Sequence, residues 1–361
     1  MPKVRMTEIT ARPRRVAVGM SGGIDSSVAA ALLSEQGWEV IGLTLHMFKE
    51  GSRCCSLEDV QRARRVCDAL GIRHYTLNVV EEFERKIIRP FAAAYSAGLT
   101  PNPCILCNRL FKFGVLIERA LALGCDFVAT GHYVRIERTA GGVCLRRGLD
   151  PRKDQSYFLH RLTQEQLQLC VFPLGELTKE QVRRIAAEKG LPIQGMRETA
   201  DLCFITDAGP APLVEKYHPE VRREGPIVDS SGRIVGTHRG VHRYTIGQRE
   251  GLGIAAPHRL YVRELLPETN TLVVGRREEV LRDSCIVEDI FWQSGREPDF
   301  GVALTVRLRY QHSGVAAQLE RLDARRARVK FAEPQFAVTP GQAAVFYAGD
   351  TLLGGGWIAK A

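Results

Sequence analysis

Two hydrophobic periods divide the first half of the chain. Compact apolar runs at Val16–Met20, Glu39–Met47, Arg73–Val79 and Asp126–Thr130 predict buried strands. Between them, apolar residues at helical spacing predict helices over Val28–Leu33, Leu57–Leu70, Glu81–Ala97 and Ile105–Leu123. Strands alternating with helices predict an α/β fold with a doubly wound parallel sheet, whose ligands sit beyond the carboxyl ends of the strands. Val134–Arg147 predicts a hairpin around Gly141 and Gly142, and helices follow near 163–169 and 178–189. Pro192–Ala200 predicts a loop and Asp201–Ile205 a short extended segment.

Near residue 210 the pattern breaks into APLVEKYHPEVRREGPIVDSSGRIVG, rich in proline, glycine and turn residues, which predicts a boundary. From about residue 272 short alternating segments predict a small antiparallel β-barrel: TLVVGR, ALTVRLRY, AAQLERL, ARVKFA, QAAVFY and LLGGGWIA. The expected division is 1–210 for the parallel-sheet domain, 211–271 for a small connecting domain and 272–361 for the barrel. There is no internal repeat and no low-complexity segment.

Composition narrows the class. Hydrophobic residues make up 45% and charged residues 25%, as in globular domains. The formal charge of +9 suits a polyanionic partner. The basic start MPKVRMTEITARPRR leads into no apolar signal region, and no run of about 18 apolar residues predicts a membrane span, so a cytoplasmic protein without a membrane partner is expected. There, ten cysteines are not expected to build a disulfide framework.

The first candidate chemistry sits in RRVAVGMSGGIDSS, residues 14–27. A strand, a glycine turn and a helix start form an anion site, because glycines allow close approach and the first helical amides point at the ligand. Gly19, Met20, Ser21, Gly22, Gly23, Ile24, Asp25 and Ser26 make the expected cradle, with Asp25 able to hold Mg²⁺. Leu45 and Gly131, at the ends of two other strands, would bracket adenine and ribose through backbone groups. No Gly-Lys-Ser/Thr closes the loop, so it is not a Walker A site. SGGxDS resembles the PP-loop of the ATP pyrophosphatases, which cleave ATP to AMP and pyrophosphate.

The second lies in LTPNPCILCNR, residues 99–109, where two prolines lead into a helix starting near Cys104. A thiolate at a helix start is favoured by the dipole, as a nucleophile or metal ligand requires. Cys104 and Cys107 are one turn apart on one face, and Cys203, in ETADLCFI, is the other cysteine in a comparable polar setting. Cys54 and Cys55 read as an incidental exposed pair in a loop. Cys67, Cys125, Cys144, Cys170 and Cys285 read as structural.

SGGIDSS, LTPNPCILCNRLFKF, TGHYVR, KDQSYFL, ETADLCFI, HRYTIGQREGLG and GQAAVFY together resemble the bacterial tRNA-specific 2-thiouridylase family, from residue 16 nearly to the C-terminus. The resemblance implies ATP-dependent replacement of the 2-oxygen of the tRNA wobble uridine by sulfur, and a PP-loop domain, a connecting domain and a tRNA-gripping barrel. It implies a persulfide on Cys203, delivered by a sulfur-relay protein or cysteine desulfurase, and Cys107 as the catalytic cysteine that releases its sulfur. One form of the family carries Asp where this chain has Cys104. The alternative is that Cys104, Cys107 and Cys203 hold three irons of a 4Fe–4S cluster. Carried over as tRNA contacts are Lys153, Asp154, Gln155, Arg309, Tyr310, Gln342 and His132, with Asn102, Pro103 and Cys104 lining the pocket of the flipped base. The rival readings are a PP-loop ligase acting on a small molecule and a non-catalytic tRNA-binding or sulfur-carrier protein.

Overall fold

The apolar run after Arg14 becomes β1 (Arg15–Gly19), the central strand of a five-stranded sheet in the computed structural model. The structure describes residues 13–48, 57–139, 141–193, 202–298 and 304–360. Cys54, Cys55, Asp201 and most of the 192–200 loop therefore lie outside the described residues. β2 (Glu39–His46) and β3 (Arg73–Asn78) stack on one side of β1, and β4 (Phe127–Ala129) on the other. After the hairpin β5 (Val134–Thr139) and β6 (Gly142–Arg147), β7 (Cys170–Val171) completes the order β3-β2-β1-β4-β7. Every neighbouring pair in this sheet is parallel. The chain leaves β1 in one direction and returns on the other side at β4, so the switch point, where such sheets bind ligands, lies between β1 and β4.

The sheet is covered on both faces. One face packs Val16, Val18, Val28, Ala29, Leu33, Val66 and Val182 into a core. The other packs Leu43, Leu45, Phe83, Phe111 and Phe113. The Ile24–Glu35 helix buries Ser26, Ser27, Val28 to Ala31 and Leu33, which suits the apolar run Val28–Leu33 at its centre. Both long helices expected after β3 carry a wide turn. Glu84–Ile88 is π-helical just before Pro90, whose missing N–H cannot continue the ladder. Asn108–Val115 is π-helical directly after Cys107. There Gln166 Nε2 donates to the carbonyls of Arg109 (3.0 Å) and Phe113 (2.7 Å), which offsets the cost of the irregular turn.

A second sheet holds β8 (Gly225–Val228), β9 (Ile234–His238), β10 (Tyr261–Leu266) and β11 (Thr271–Gly275) in the order β10-β11-β8-β9. The segment TLVVGR, expected as a barrel strand, is β11 and pairs here. A tight turn ending at Asn270 (φ 51°) folds it back on β10. Alternation predicts a strand but carries no information about its neighbour.

The C-terminal strands are β12 (Leu281–Trp292), β13 (Leu304–Arg307), β14 (Val315–Arg321), β15 (Ala327–Phe336), β16 (Ala343–Ala348) and β17 (Thr351–Ile358). They pair antiparallel in the order β12-β15-β14-β13-β16-β17, and β17 pairs back to β12, closing the barrel. The hairpin β5–β6 adds to β17 at Thr351–Arg146. Tyr157, Leu159, Val345 and Tyr347 share one apolar cluster with the parallel-sheet region, so barrel and sheet are joined by a common core. At that joint Arg307 Nη1 lies 2.6 Å from Asp154 Oδ2, and Tyr157 OH donates to the Ala343 carbonyl at 3.0 Å. Among the described residues no helix is long and apolar enough to cross a membrane.

Candidate active site

β1 delivers its last residue, Gly19, to the switch point, and the loop Met20–Gly23 turns into the Ile24–Glu35 helix. Gly22 takes φ +73°, and a Cβ there would stand 2.6 Å from the Asp59 carbonyl oxygen, so the turn needs glycine. Gly23 is the N-cap and supplies no side-chain cap, which leaves the first-turn amides pointing out of the helix end. The hydroxyls hold the loop rather than capping it. Ser26 Oγ donates to the Gly23 carbonyl (3.1 Å) and accepts from the Ser21 amide (3.2 Å), and Ser27 Oγ donates to Gly23 O (2.8 Å). Gly131, beyond β4, closes the other wall. A Cβ on it would meet Asp25 C and Ser26 N at 2.7 Å each. Leu45 is buried in the core, so only its backbone can face a ligand. This is a glycine-walled anion cradle at the place the topology dictates.

Asp25 is expected from sequence to hold a metal. In the structure its carboxylate accepts from Lys179 Nζ at 2.7 and 2.9 Å and from Tyr133 OH at 2.7 Å. A metal on Asp25 would have to displace the lysine. Neither partner stood out in the sequence. Tyr133 sits in the TGHYVR motif, and Lys179 follows Thr178, whose capping box with Gln181 was the one local signal of a helix start.

The Pro103–Cys107 helix starts from Asn102, whose Oδ1 accepts the Cys104 amide at 3.1 Å. Asn102 and Cys104 are half-buried, and Pro103 and Cys107 are buried. The approach is clamped from two sides. A Cβ on Gly98 (φ +74°) would lie 2.7 Å from Pro267 Cγ of the middle region. From the barrel, the Pro340 carbonyl accepts the Thr100 amide (2.9 Å), and Gln342 Nε2 donates to the Thr100 carbonyl (2.7 Å). Gln342, expected to contact tRNA, is half-buried and ties the barrel to the cysteine segment.

Cys203 lies in a turn rather than the expected extended segment, closed by the Ile205 amide donating to Leu202 O at 3.0 Å. It packs against the apolar cluster that contains Cys107, and Phe204 inserts between Phe48, Phe83 and Phe91 with centroids 5.1–6.3 Å apart. Among the described residues no three His, Cys, Asp or Glu side chains are gathered as a metal site.

The remaining expected tRNA contacts divide by burial. Arg309 is exposed and Lys153 half-buried. Tyr310 stacks on Phe158 with centroids 4.4 Å apart. Asp154 is 3% exposed and accepts from Arg307, the Gly148 amide and Ser156, so it is a buried joint and not a surface contact. Gln155 accepts the Tyr133 amide through Oε1 (3.0 Å), and its own amide donates to the Tyr133 carbonyl (3.0 Å). It holds the tyrosine that holds Asp25. His132 is buried between Phe113 and Phe172, and Nδ1 pairs with Thr130 Oγ1 at 2.8 Å. Burial holds its pKa well below the usual imidazole value, with Lys112 adding to the effect.

Family models match nearly the full length: a tRNA methyl transferase HUP domain over residues 14–207, a tRNA methyl transferase PRC-barrel domain over 213–276 and an aminomethyltransferase beta-barrel domain over 282–358. The chain is 45% identical over 356 residues to a tRNA-specific 2-thiouridylase MnmA of Geobacter metallireducens, covering 96% of each chain. It is 46% identical over 353 residues to that of Moorella thermoacetica, covering 94% of this chain and 98% of the relative. For Nostoc punctiforme the figures are 46% over 349 residues, 96% and 99%.

Proposed function

Because the chain belongs to the tRNA-specific 2-thiouridylase family, we propose that it converts the wobble uridine of tRNA to 2-thiouridine at the expense of ATP. A uridine carbonyl is a poor electrophile, and its oxygen is a poor leaving group. Attack of that oxygen on the α-phosphorus of ATP breaks the bond to the β-phosphate, releases pyrophosphate and leaves AMP on the base. Sulfur then adds to C2, and the carbon–oxygen bond breaks with AMP as the leaving group.

The observation that carries this reading is the cradle at the β1–β4 switch point, walled by Gly22 and Gly131 and open at an uncapped helix start. Backbone amides fixed there stabilise charge on the departing pyrophosphate without reorganising. Asp25, the residue expected to hold Mg²⁺, is held in the structure by Lys179 and Tyr133.

For the sulfur step, Cys203 carries a persulfide loaded by a donor protein. The Cys107 thiolate attacks the inner sulfur of that persulfide, a Cys107–Cys203 disulfide forms, and the outer sulfur leaves as hydrosulfide, which adds to the adenylated C2. A thiol reductant then restores both cysteines. Asn102 and Pro103 at the helix start line the pocket of the extruded base. Lys153, Arg309 and Tyr310 face the tRNA backbone and supply the salt-sensitive part of binding. The net charge of +9 suits such a polyanionic partner.

Pyrophosphate release tests the reading. Release from ATP that depends on tRNA with a wobble uridine, together with 2-thiouridine in the recovered nucleosides, is the expected result. Release that ignores tRNA but responds to a small acceptor would indicate a small-molecule ligase, and no release would indicate a carrier.

A further inference from the structure

We propose that Lys179 is a catalytic residue of the nucleotide site, binding the β- and γ-phosphates through Nζ, and that Asp25 acts by holding that ammonium in place. The proposal rests on the ATP-dependent reading above and names the cation that serves it.

Lys179 is an unusual lysine. Its side chain is 7% exposed, whereas a lysine ammonium is normally left in water because desolvating it is costly. It is placed by rigid structure. It is the first residue of the Lys179–Glu188 helix, whose N-cap Thr178 and Gln181 form a reciprocal capping box. Its amide donates to Asp150 Oδ2 at 3.1 Å. From that anchor Nζ forks across both oxygens of Asp25, and it lies 5.8 Å from the ring centroid of Tyr133, whose hydroxyl bonds the same carboxylate.

Asp25 is the second residue of the Ile24–Glu35 helix, the helix whose uncapped amides form the cradle. The ammonium is therefore held by a side chain from the same turn as the phosphate-binding amides. A carboxylate at this position repels a triphosphate unless its charge is matched, and Lys179 matches it. Held on Asp25, Nζ sits beside the turn whose amides take the phosphates, and the anchored backbone keeps it there. As pyrophosphate departs, the same ammonium neutralises the charge that develops on it, in a water-poor setting where such an interaction is strong.

The test separates phosphate binding from mere neutralisation of Asp25. The full chain is titrated with ATP, pyrophosphate and AMP, which lacks the β- and γ-phosphates. Lys179→Met is expected to weaken ATP and pyrophosphate binding by about tenfold or more, in keeping with a lost charge-assisted contact. AMP affinity is expected to stay within about twofold, and a melting curve like that of wild type confirms the fold. Turnover should fall about 100- to 1,000-fold, the scale of losing one preorganised donor to a developing anion. Lys179→Arg should recover part of both. The double variant Lys179→Met with Asp25→Asn decides the mechanism. ATP affinity that stays weak supports direct phosphate contact, and affinity restored to the wild-type level overturns it. Equal losses for ATP and AMP in Lys179→Met overturn it as well. The thiolation reading fails separately: wild-type protein that binds ATP but forms no 2-thiouridine refutes that reading, while the ATP-to-AMP comparison still decides Lys179.

Discussion

Replacing Gly131 by alanine tests whether the β4 turn forms a wall of the nucleotide site. The added Cβ would stand 2.7 Å from Asp25 C, 2.7 Å from Ser26 N and 2.9 Å from Asp25 Cβ. Relaxed contacts need about 3.5–4.0 Å, so the turn and the cradle must separate by roughly 1 Å. All three atoms lie on the phosphate-binding chain, two of them in its backbone, and none can rotate away. Overpacking of this kind costs about 1–3 kcal/mol. A displacement of about 1 Å in the positioning of reacting groups costs about 100-fold in rate. Gly131→Ala should therefore remain folded, bind tRNA as wild type does, and lose about 100-fold in kcat/KM for ATP in tRNA-dependent pyrophosphate release. Gly19→Ala is the matched control. Its Cβ would meet Leu116 Cδ1 at 3.1 Å, the end of a flexible side chain that can shift, so a loss below about tenfold is expected. Wild-type ATP kinetics in Gly131→Ala, or equal losses in the two variants, would refute the assignment of this wall.

Three further outcomes follow from the structure. Asp154→Ala should destabilise the protein by about 3–5 kcal/mol in urea unfolding, because it strands the Arg307 guanidinium in a joint where the two side chains are 8% and 2% exposed. A loss of tRNA affinity without destabilisation would return Asp154 to the surface role. Stability should fall between pH 7 and pH 5, since burial pulls His160 down from 6.5 to about 3 and lowers His132 as well. The unfolded chain then takes up protons the native state refuses, so each group contributes a loss of up to about 1.4 kcal/mol per pH unit as pH falls below its unfolded value, and for His160 this continues down to its folded value. A urea midpoint that is flat over this range, or unchanged in slope by His160→Leu, would contradict the assignment. Lys153→Ala should lower tRNA affinity and reduce the log–log salt slope by about 1, as for one phosphate contact, and an unaltered slope would remove Lys153 from the interface.

Local patterning made the cradle legible and left its chemistry half-written. Strand periodicity, three glycines and a helix start within residues 14–27 are neighbours in sequence, so their geometry could be read directly. Lys179 reaches Asp25 from 154 positions away, and Arg307 reaches Asp154 from 153, and no pattern within either segment announces its partner. Asp154 and Gln155 were carried over as RNA contacts from the family resemblance, and nothing in their local sequence announces that Asp154 is buried or that Gln155 holds Tyr133. β7 spans two residues, too few to show any period, and β11 showed its alternation but not its sheet. The π turn after Cys107 was also invisible, since it depends on Gln166 arriving to satisfy Arg109 and Phe113.

The central claim is that ATP activates a tRNA carbonyl for sulfur held by Cys203 and released by Cys107. It is tested most directly by nucleoside analysis of wobble-uridine tRNA after incubation with ATP, a persulfide donor and protein, with pyrophosphate measured in the same reaction. The account predicts 2-thiouridine and pyrophosphate from the wild type. Cys203→Ala and Cys107→Ala should still bind tRNA and release pyrophosphate but form no 2-thiouridine. Full thiolation by Cys203→Ala would contradict it.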